Sequence, residues 1–270
     1  MQVDDRWEQG DAYERYVGRW SRPIAVQFLT WLDAPRGIRW LDVGCGTGAL
    51  TEAILDGCEP ASVVGVEPSA GFLETARARL GERANLLHGD AANLPMADAS
   101  TDAVVSGLVL NFVPDPDAAL AEFVRCAAPG GVIAAYVWDY AEGMRMMREF
   151  WDVAAEVDPD GSALDESARF PICRPDVLAA VFSRATGDDA VVVPLDANAV
   201  FADFDDYWEP FLAGQGPAPA YLMALGEDRR SAIRERLRER LPVRRDGTIE
   251  LATRAWAVRA RVAEAPAPRA

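Results

Sequence analysis

Apolar and polar positions fall into blocks along this chain. From residue 37 to 139, short apolar runs alternate with stretches whose apolar residues recur at helical spacing. Trp40-Leu41-Asp42-Val43 reads as a strand that runs into Gly44-Cys45-Gly46-Thr47-Gly48 and then opens a helix. Val63-Val64-Gly65-Val66-Glu67 predicts a second strand, residues 86–90 a short third, and residues 101–107 a fourth. Pro129-Gly130-Gly131 is a turn into a fifth, ending at Trp138. Helices are predicted over 71–80 and 116–127, the latter with Leu120, Phe123 and Val124 on its apolar face. Ahead of the first strand, Arg22-Pro23 places proline at a helix start, with Ile24, Phe28, Leu29 and Leu32 on one face. Strands alternating with helices predict a parallel sheet wound on both sides. Residues 190–195 predict a sixth strand, and 248–260 a seventh whose mixed alternation suits a pair at the sheet edge.

The glycine turn carries the chemistry. Three glycines within five positions leave one wall without Cβ atoms, so a ligand can sit on the backbone. Asp42 stands at the C-terminal end of its strand, where α/β sheets place ligands. Glu67 follows Gly48 by nineteen positions, also at a strand end, where a carboxylate can accept both hydroxyls of a ribose. These features predict a pocket for an adenosine-containing cofactor. Residues 44–49 also satisfy a dinucleotide pattern, with Ala49 in the third glycine's place. The next segment favours a different cofactor. In Gly89-Asp90-Ala91-Ala92, Asp90 can accept from an adenine amino group, while the amides of Ala91 and Ala92 meet the ring nitrogens. A nicotinamide oxidoreductase would also want a hydride-site residue such as lysine, and the chain has none.

The series LDVGCGTG at 41–48, VGVEPS at 64–69, GDAANLP at 89–95 and APGG at 128–131 resembles the class I S-adenosylmethionine (SAM) dependent methyltransferases. Within them it is similar to the subgroup of ubiquinone and menaquinone biosynthesis methyltransferases. The resemblance covers residues 10–139 and resumes at the last strand. It implies an α/β, Rossmann-like, seven-stranded, mostly parallel sheet with helices on both faces and a helical cap. It also implies SAM as cofactor, S-adenosylhomocysteine as product, and a small-molecule acceptor methylated on oxygen, nitrogen or carbon. Cofactor contacts are expected from Asp42, Gly44, Cys45, Gly46, Gly48, Glu67, Pro68, Asp90, Ala91 and Ala92, with Gly107 and Leu108 contributing backbone. In related methyltransferases the segment ahead of the first strand folds over the cofactor, so Tyr16 and Arg19 are candidates to meet the methionine carboxylate. The alternative for Tyr13, Tyr16 and Trp20 is packing of that helix on the sheet. A second function stays open: a SAM-binding module without turnover that acts through a protein partner.

Composition narrows the partners. The chain has 270 residues and a net charge of −16, and all of its basic residues are arginine. That acidity argues against nucleic acid, which needs clustered cations. Four cysteines, far apart and without a CxxC pair, suggest neither a metal site nor a disulfide framework. The charged N-terminus does not read as a signal peptide, and no apolar run approaches the roughly 20 residues of a membrane span. A soluble, cytoplasmic protein of a single domain is expected. Its parts would be a lid over 1–36, a cofactor-binding core over 37–139, cap segments over 140–185 and 196–246, and the last strands over 186–195 and 247–262.

The cap segments are rich in large apolar side chains: Met144, Met146, Met147, Phe150 and Trp151 in the first, and Phe201, Phe204, Tyr207, Trp208, Phe211 and Tyr221 in the second. A minority is expected to face an acceptor, the rest to form the cap's own core. A helix over 227–241 repeats Ile233, Leu237 and Leu241 every four residues, and the charges between them read as a solvated face. Methyl transfer from a sulfonium depends chiefly on alignment, and a general base is needed only when the acceptor must lose a proton. Asp139 and Tyr140, after the fifth strand, are the candidates for that role. For Asp139 the alternative is a turn or cap. Asn111 can orient an acceptor. His88, the only histidine, is expected to be structural.

Overall fold

The computed structural model describes residues 18–159, 164–214 and 216–264. Seven strands form one sheet: β1 (Arg39–Val43), β2 (Ser62–Glu67), β3 (Asn85–His88), β4 (Thr101–Gly107), β5 (Ala127–Trp138), β6 (Val191–Phe201) and β7 (Ile249–Arg261). Their order is β3-β2-β1-β4-β5-β7-β6, with β1 to β5 parallel and β7 antiparallel to both neighbours. The chain winds outward from β1 in one direction and restarts at β4 in the other. This reversal opens a crevice at the C-terminal ends of β1 and β4.

The helices that cover this sheet are α1 (Arg19–Leu32), α2 (Ala49–Gly57), α3 (Ala70–Leu80), α4 (Pro116–Cys126) and α7 (Pro175–Thr186). They lie on both faces, with α1 packed on α2 and α4 on α7. The sheet interior is Val-, Ile- and Ala-rich, as strands covered on both sides require: Leu41, Val43, Val104, Val105, Ile133, Ala134 and Val137 are buried. Asp115 caps α4 by accepting from the Ala118 N–H at 3.0 Å, and Ser69 caps α3 by accepting from Phe72.

Three boundaries differ from the sequence expectation. Helix α1 begins at Arg19, so Pro23 lies inside it and not at its start, one turn in and on the solvent-facing side. Strand β6 continues through Asp196 to Phe201, so the second cap segment starts after residue 201 instead of at 196. Polar Asp196 and Asn198 suggested a chain leaving the sheet. On this edge strand they are instead outward positions, and they bond to Arg254 and Glu250 across the ladder. Helix α7, placed by sequence in the cap, packs against β6, β7 and α4 and so belongs to the sheet.

The last β5–β7 pair is Trp138↔Ala255, while β6–β7 pairing runs on for six more, to Phe201↔Ile249. This two-stranded ribbon overhangs the C-terminal edge by about 20 Å at the usual rise per residue. The cap is built on it from α5 (Arg145–Val157), α6 (Glu166–Arg169), α8 (Phe204–Trp208), α9 (Pro217–Ala224) and α10 (Glu227–Arg240). Ile233, Leu237 and Leu241 turn inward, and α10 packs on α5. Tyr13, Tyr16 and the closing residues 265–270 lie outside the described residues.

Candidate functional site

A cavity of about 270 Å³ occupies the crevice between the ends of β1 and β4. Asp42, Gly44, Cys45, Gly46 and Thr47 form its floor, Glu67 to Ser69 one side, Gly89 to Ala91 the far end, and Gly107 to Val109 the other side. Phe72, Phe112, Val113, Pro114 and Tyr136 complete an apolar wall, and Ser21 of α1 reaches its rim.

The glycine turn works by shape. Gly44 holds φ +72°, and a Cβ there would lie 2.5 Å from Val109. The amides of Gly44 and Cys45 both donate to the Val66 carbonyl, at 2.7 and 3.1 Å, so the turn is tied to β2. Gly48 does not line the cavity; a Cβ there would meet Leu80 at 2.9 Å, so this glycine lets α2 approach α3.

Glu67 closes the turn from the side. Its Oε2 accepts from the Gly46 N–H at 3.0 Å and its Oε1 from the Ser69 N–H at 2.9 Å. Burial raises its pKa, and these two amide bonds oppose the rise. Each oxygen keeps a further lone pair, so the carboxylate is held in place with acceptor capacity to spare.

Asp42 is fully buried. Its Oδ2 accepts from the Thr51 hydroxyl at 2.6 Å, while Oδ1 has no hydrogen-bond partner. Burial, against the opposing Thr51 bond, pushes its pKa up to about 7. A buried acceptor without a donor costs about 1–3 kcal/mol, which a ligand donor would recover. Leu108 supplies a second local cost: a non-glycine residue at φ +63°, in the cavity wall directly after β4. Its N–H donates to the Tyr136 carbonyl at 2.8 Å, which holds the loop to β5.

Pro68, Asp90 and Ala91 line the cavity and Ala92 does not; its N–H donates to Asp90 Oδ1 at 2.8 Å and shapes the turn. Arg19 points to the cap, where it pairs with Asp206 at 2.8 Å and lies over the rings of Trp20 and Phe201. Tyr16 lies outside the described residues. Asp139 and Tyr140 do not line the cavity. Asp139 Oδ1 accepts from the Glu142 N–H at 3.1 Å, so this carboxylate forms a turn, and Tyr140 packs on Phe170. Asn111 is buried outside the lining with its Nδ2 unpartnered, and His88 is exposed beside Glu67 at the end of β3. None of the cap aromatics lines the cavity. Tyr136 and Phe72 were not anticipated. Phe72 had a usable signal, since it opens the helix right after Glu67; Tyr136 lies mid-run in an apolar strand and had none.

Among the described residues no group of His, Cys, Asp and Glu is arranged to hold a metal ion, and no helix is long and apolar enough to cross a membrane.

Residues 41–135 match a family model described as a methyltransferase domain. The chain is 33% identical over 153 residues to a trans-aconitate 2-methyltransferase of Variovorax paradoxus, covering 56% of this chain and 58% of that protein. It is 40% identical over 101 residues to a demethylmenaquinone methyltransferase of Staphylococcus aureus, covering 36% and 42%. The chain thus spans about half the length of these curated relatives. A solved structure of similar fold is a phosphoethanolamine N-methyltransferase of Haemonchus contortus in complex with phosphomonomethylethanolamine and S-adenosylhomocysteine. It has TM-score 0.55 and 16% identity over 95% of this chain and 57% of that one, a likeness of fold alone.

Proposed function

From the premise that residues 41–135 are a methyltransferase domain, we propose that the chain is an enzyme that moves a methyl group from SAM to a small, partly apolar acceptor. The observation that carries this reading is Glu67 fastened to the glycine turn beside Asp42, a buried carboxylate with one bare oxygen. The residues present fit the cofactor. Glu67 holds the ribose hydroxyls, Asp90 and the Ala91 amide take the adenine end, and Asp42 Oδ1 accepts from the amino group. When bound, SAM supplies an electrophilic methyl on a sulfonium sulfur.

The chain's own part is then to orient and to exclude water. Gly44 and Gly107 let backbone approach, while Phe72, Val109, Phe112 and Val113 form a dry wall around the reacting centre. The three carboxylates of the described lining are taken up by the cofactor, and no arginine or histidine of that lining stands by to pair with an anionic acceptor. That favours an acceptor without negative charge near its reacting atom, of oxygen, nitrogen or carbon type. Two relatives are named for small acceptors, trans-aconitate and demethylmenaquinone. A described lining without a cation speaks for an acceptor less anionic than the first.

The test is transfer of labelled methyl from SAM to a panel of phenols, amines and trans-aconitate. Labelling of a neutral or cationic acceptor is expected. Tight S-adenosylhomocysteine binding with no labelled product from any neutral or cationic member would contradict the proposal, as would labelling of trans-aconitate alone.

A further inference from the structure

Tyr136 reaches the cavity from β5, across the whole width of β4. Its ring lies over Gly107: a Cβ at that glycine would stand 2.5 Å from the tyrosine Oη and 2.7 Å from its Cζ. The ladder explains the placement. Gly107 pairs with Tyr136, Val105 pairs with Ala134 and also with Asp42. Residues two apart on a strand share a face, so Asp42, Gly107 and Tyr136 stand on one face of the sheet. Phe28 of α1 packs on the tyrosine ring at 4.8 Å between centroids and fixes its direction. The hydroxyl is thereby carried over β4 toward β1, where Asp42 Oδ1 has no donor, and both residues line the same cavity.

The two tips differ in hydrogen-bonding character. An ionised carboxylate oxygen only accepts, whereas a phenol hydroxyl can donate. A ligand end that carries an ammonium and a carboxylate on one carbon presents the matching pair. Glu67, on the opposite side of β1, is too far along the sheet order to share that end, since β2 and β5 flank the β1–β4 pair from opposite sides.

We propose that Tyr136 is a positioning residue for the cofactor, its hydroxyl donating to the carboxylate of the methionine end while Asp42 Oδ1 accepts from the ammonium. The inference rests on the reading that this cavity takes SAM. It also gives Gly107 a reason beyond backbone freedom: any side chain there displaces the hydroxyl.

The test is calorimetric titration of the wild type and Tyr136→Phe with two ligands, S-adenosylhomocysteine and 5′-methylthioadenosine. The second keeps the adenosine and lacks the amino-acid end. Tyr136→Phe is expected to weaken S-adenosylhomocysteine by about tenfold, the cost of one hydrogen bond to a charged group, and to leave 5′-methylthioadenosine unchanged. Gly107→Ala should reproduce the split by pushing the ring aside. Unchanged S-adenosylhomocysteine affinity in Tyr136→Phe, or an equal loss for both ligands, would overturn the proposal and leave Tyr136 a packing residue. A wild type that binds neither ligand would instead refute the cofactor reading itself.

Discussion

The cavity and the cap use the same kinds of residue to opposite ends. In the cap, polar tips on large side chains find partners within the chain. The Tyr207 hydroxyl donates to the Met146 carbonyl at 2.9 Å, Tyr221 donates to Asp158 at 3.2 Å, and the Trp151 indole N–H donates to Glu166. Phe150 stacks on Phe211 with centroids 4.6 Å apart. Around the cavity, by contrast, Asp42 keeps a bare oxygen and Leu108 sits in the left-handed region. A carboxylate oxygen left bare in a cavity wall points to a ligand site; a stacked aromatic cluster in which Tyr207, Tyr221 and Trp151 have partners within the chain reads as a core.

The contrast can be broken at several points. The largest effect should come from the cap. Phe150→Ala empties a fully buried stack, so chemical denaturation should show a loss of about 3–5 kcal/mol. If the cap is only a core, S-adenosylhomocysteine affinity of the folded variant should stay within about twofold, a change of under half a kcal/mol. A large affinity loss in the folded fraction would mean that the cap shapes the site.

Glu166 gives the next effect. It is buried beneath Trp151, and burial pushes its pKa up to about 8, far above the ordinary value of 4.5. A carboxyl whose folded pKa is raised contributes stability that is full below its unfolded pKa and lost as pH rises through the folded value. Between pH 5 and 8 the wild type should therefore lose up to about 1.4 kcal/mol per pH unit from this group. Glu166→Gln, which can still accept from the indole, should flatten that part of the profile. Thermal melts across this range check it, and an unchanged slope would contradict the assignment. Asp42 adds a slope of the same sign, which ligand binding should alter and Glu166→Gln should not.

The smallest effect belongs to His88. It is exposed and outside the cavity lining, so His88→Ala should change stability by under about 0.5 kcal/mol. Affinity for S-adenosylhomocysteine should move less than about twofold. A larger shift would move the site boundary toward β3.

The same contrast explains what could be read from the sequence. The core strands and the glycine turn were legible because backbone geometry dictates their residues: Gly44 has no room for a side chain, and buried parallel strands must be apolar throughout. Glu67 was legible because it ends such a run. The extent of β6 was hidden, since an exposed edge ribbon carries polar Asp196 and Asn198 that read as a departing loop. Tyr136 was hidden for a different reason. Its role comes from a ladder partner nearly thirty residues away, Gly107, and no local pattern records that pairing. Asp139 and Tyr140 stand at a strand end, as cavity residues do, yet β5 ends beneath the overhanging ribbon, where Asp139 shapes the turn into the cap. Position at a strand end is therefore informative only next to the crevice, at β1 to β4.

The cofactor site is tested by calorimetric titration of the wild type and Glu67→Ala with S-adenosylhomocysteine and, separately, NADH. Binding of S-adenosylhomocysteine alone is expected, weakened at least about tenfold by Glu67→Ala as two ribose hydrogen bonds to a held carboxylate are lost. Binding of NADH alone, or S-adenosylhomocysteine affinity indifferent to Glu67, would contradict the cofactor assignment.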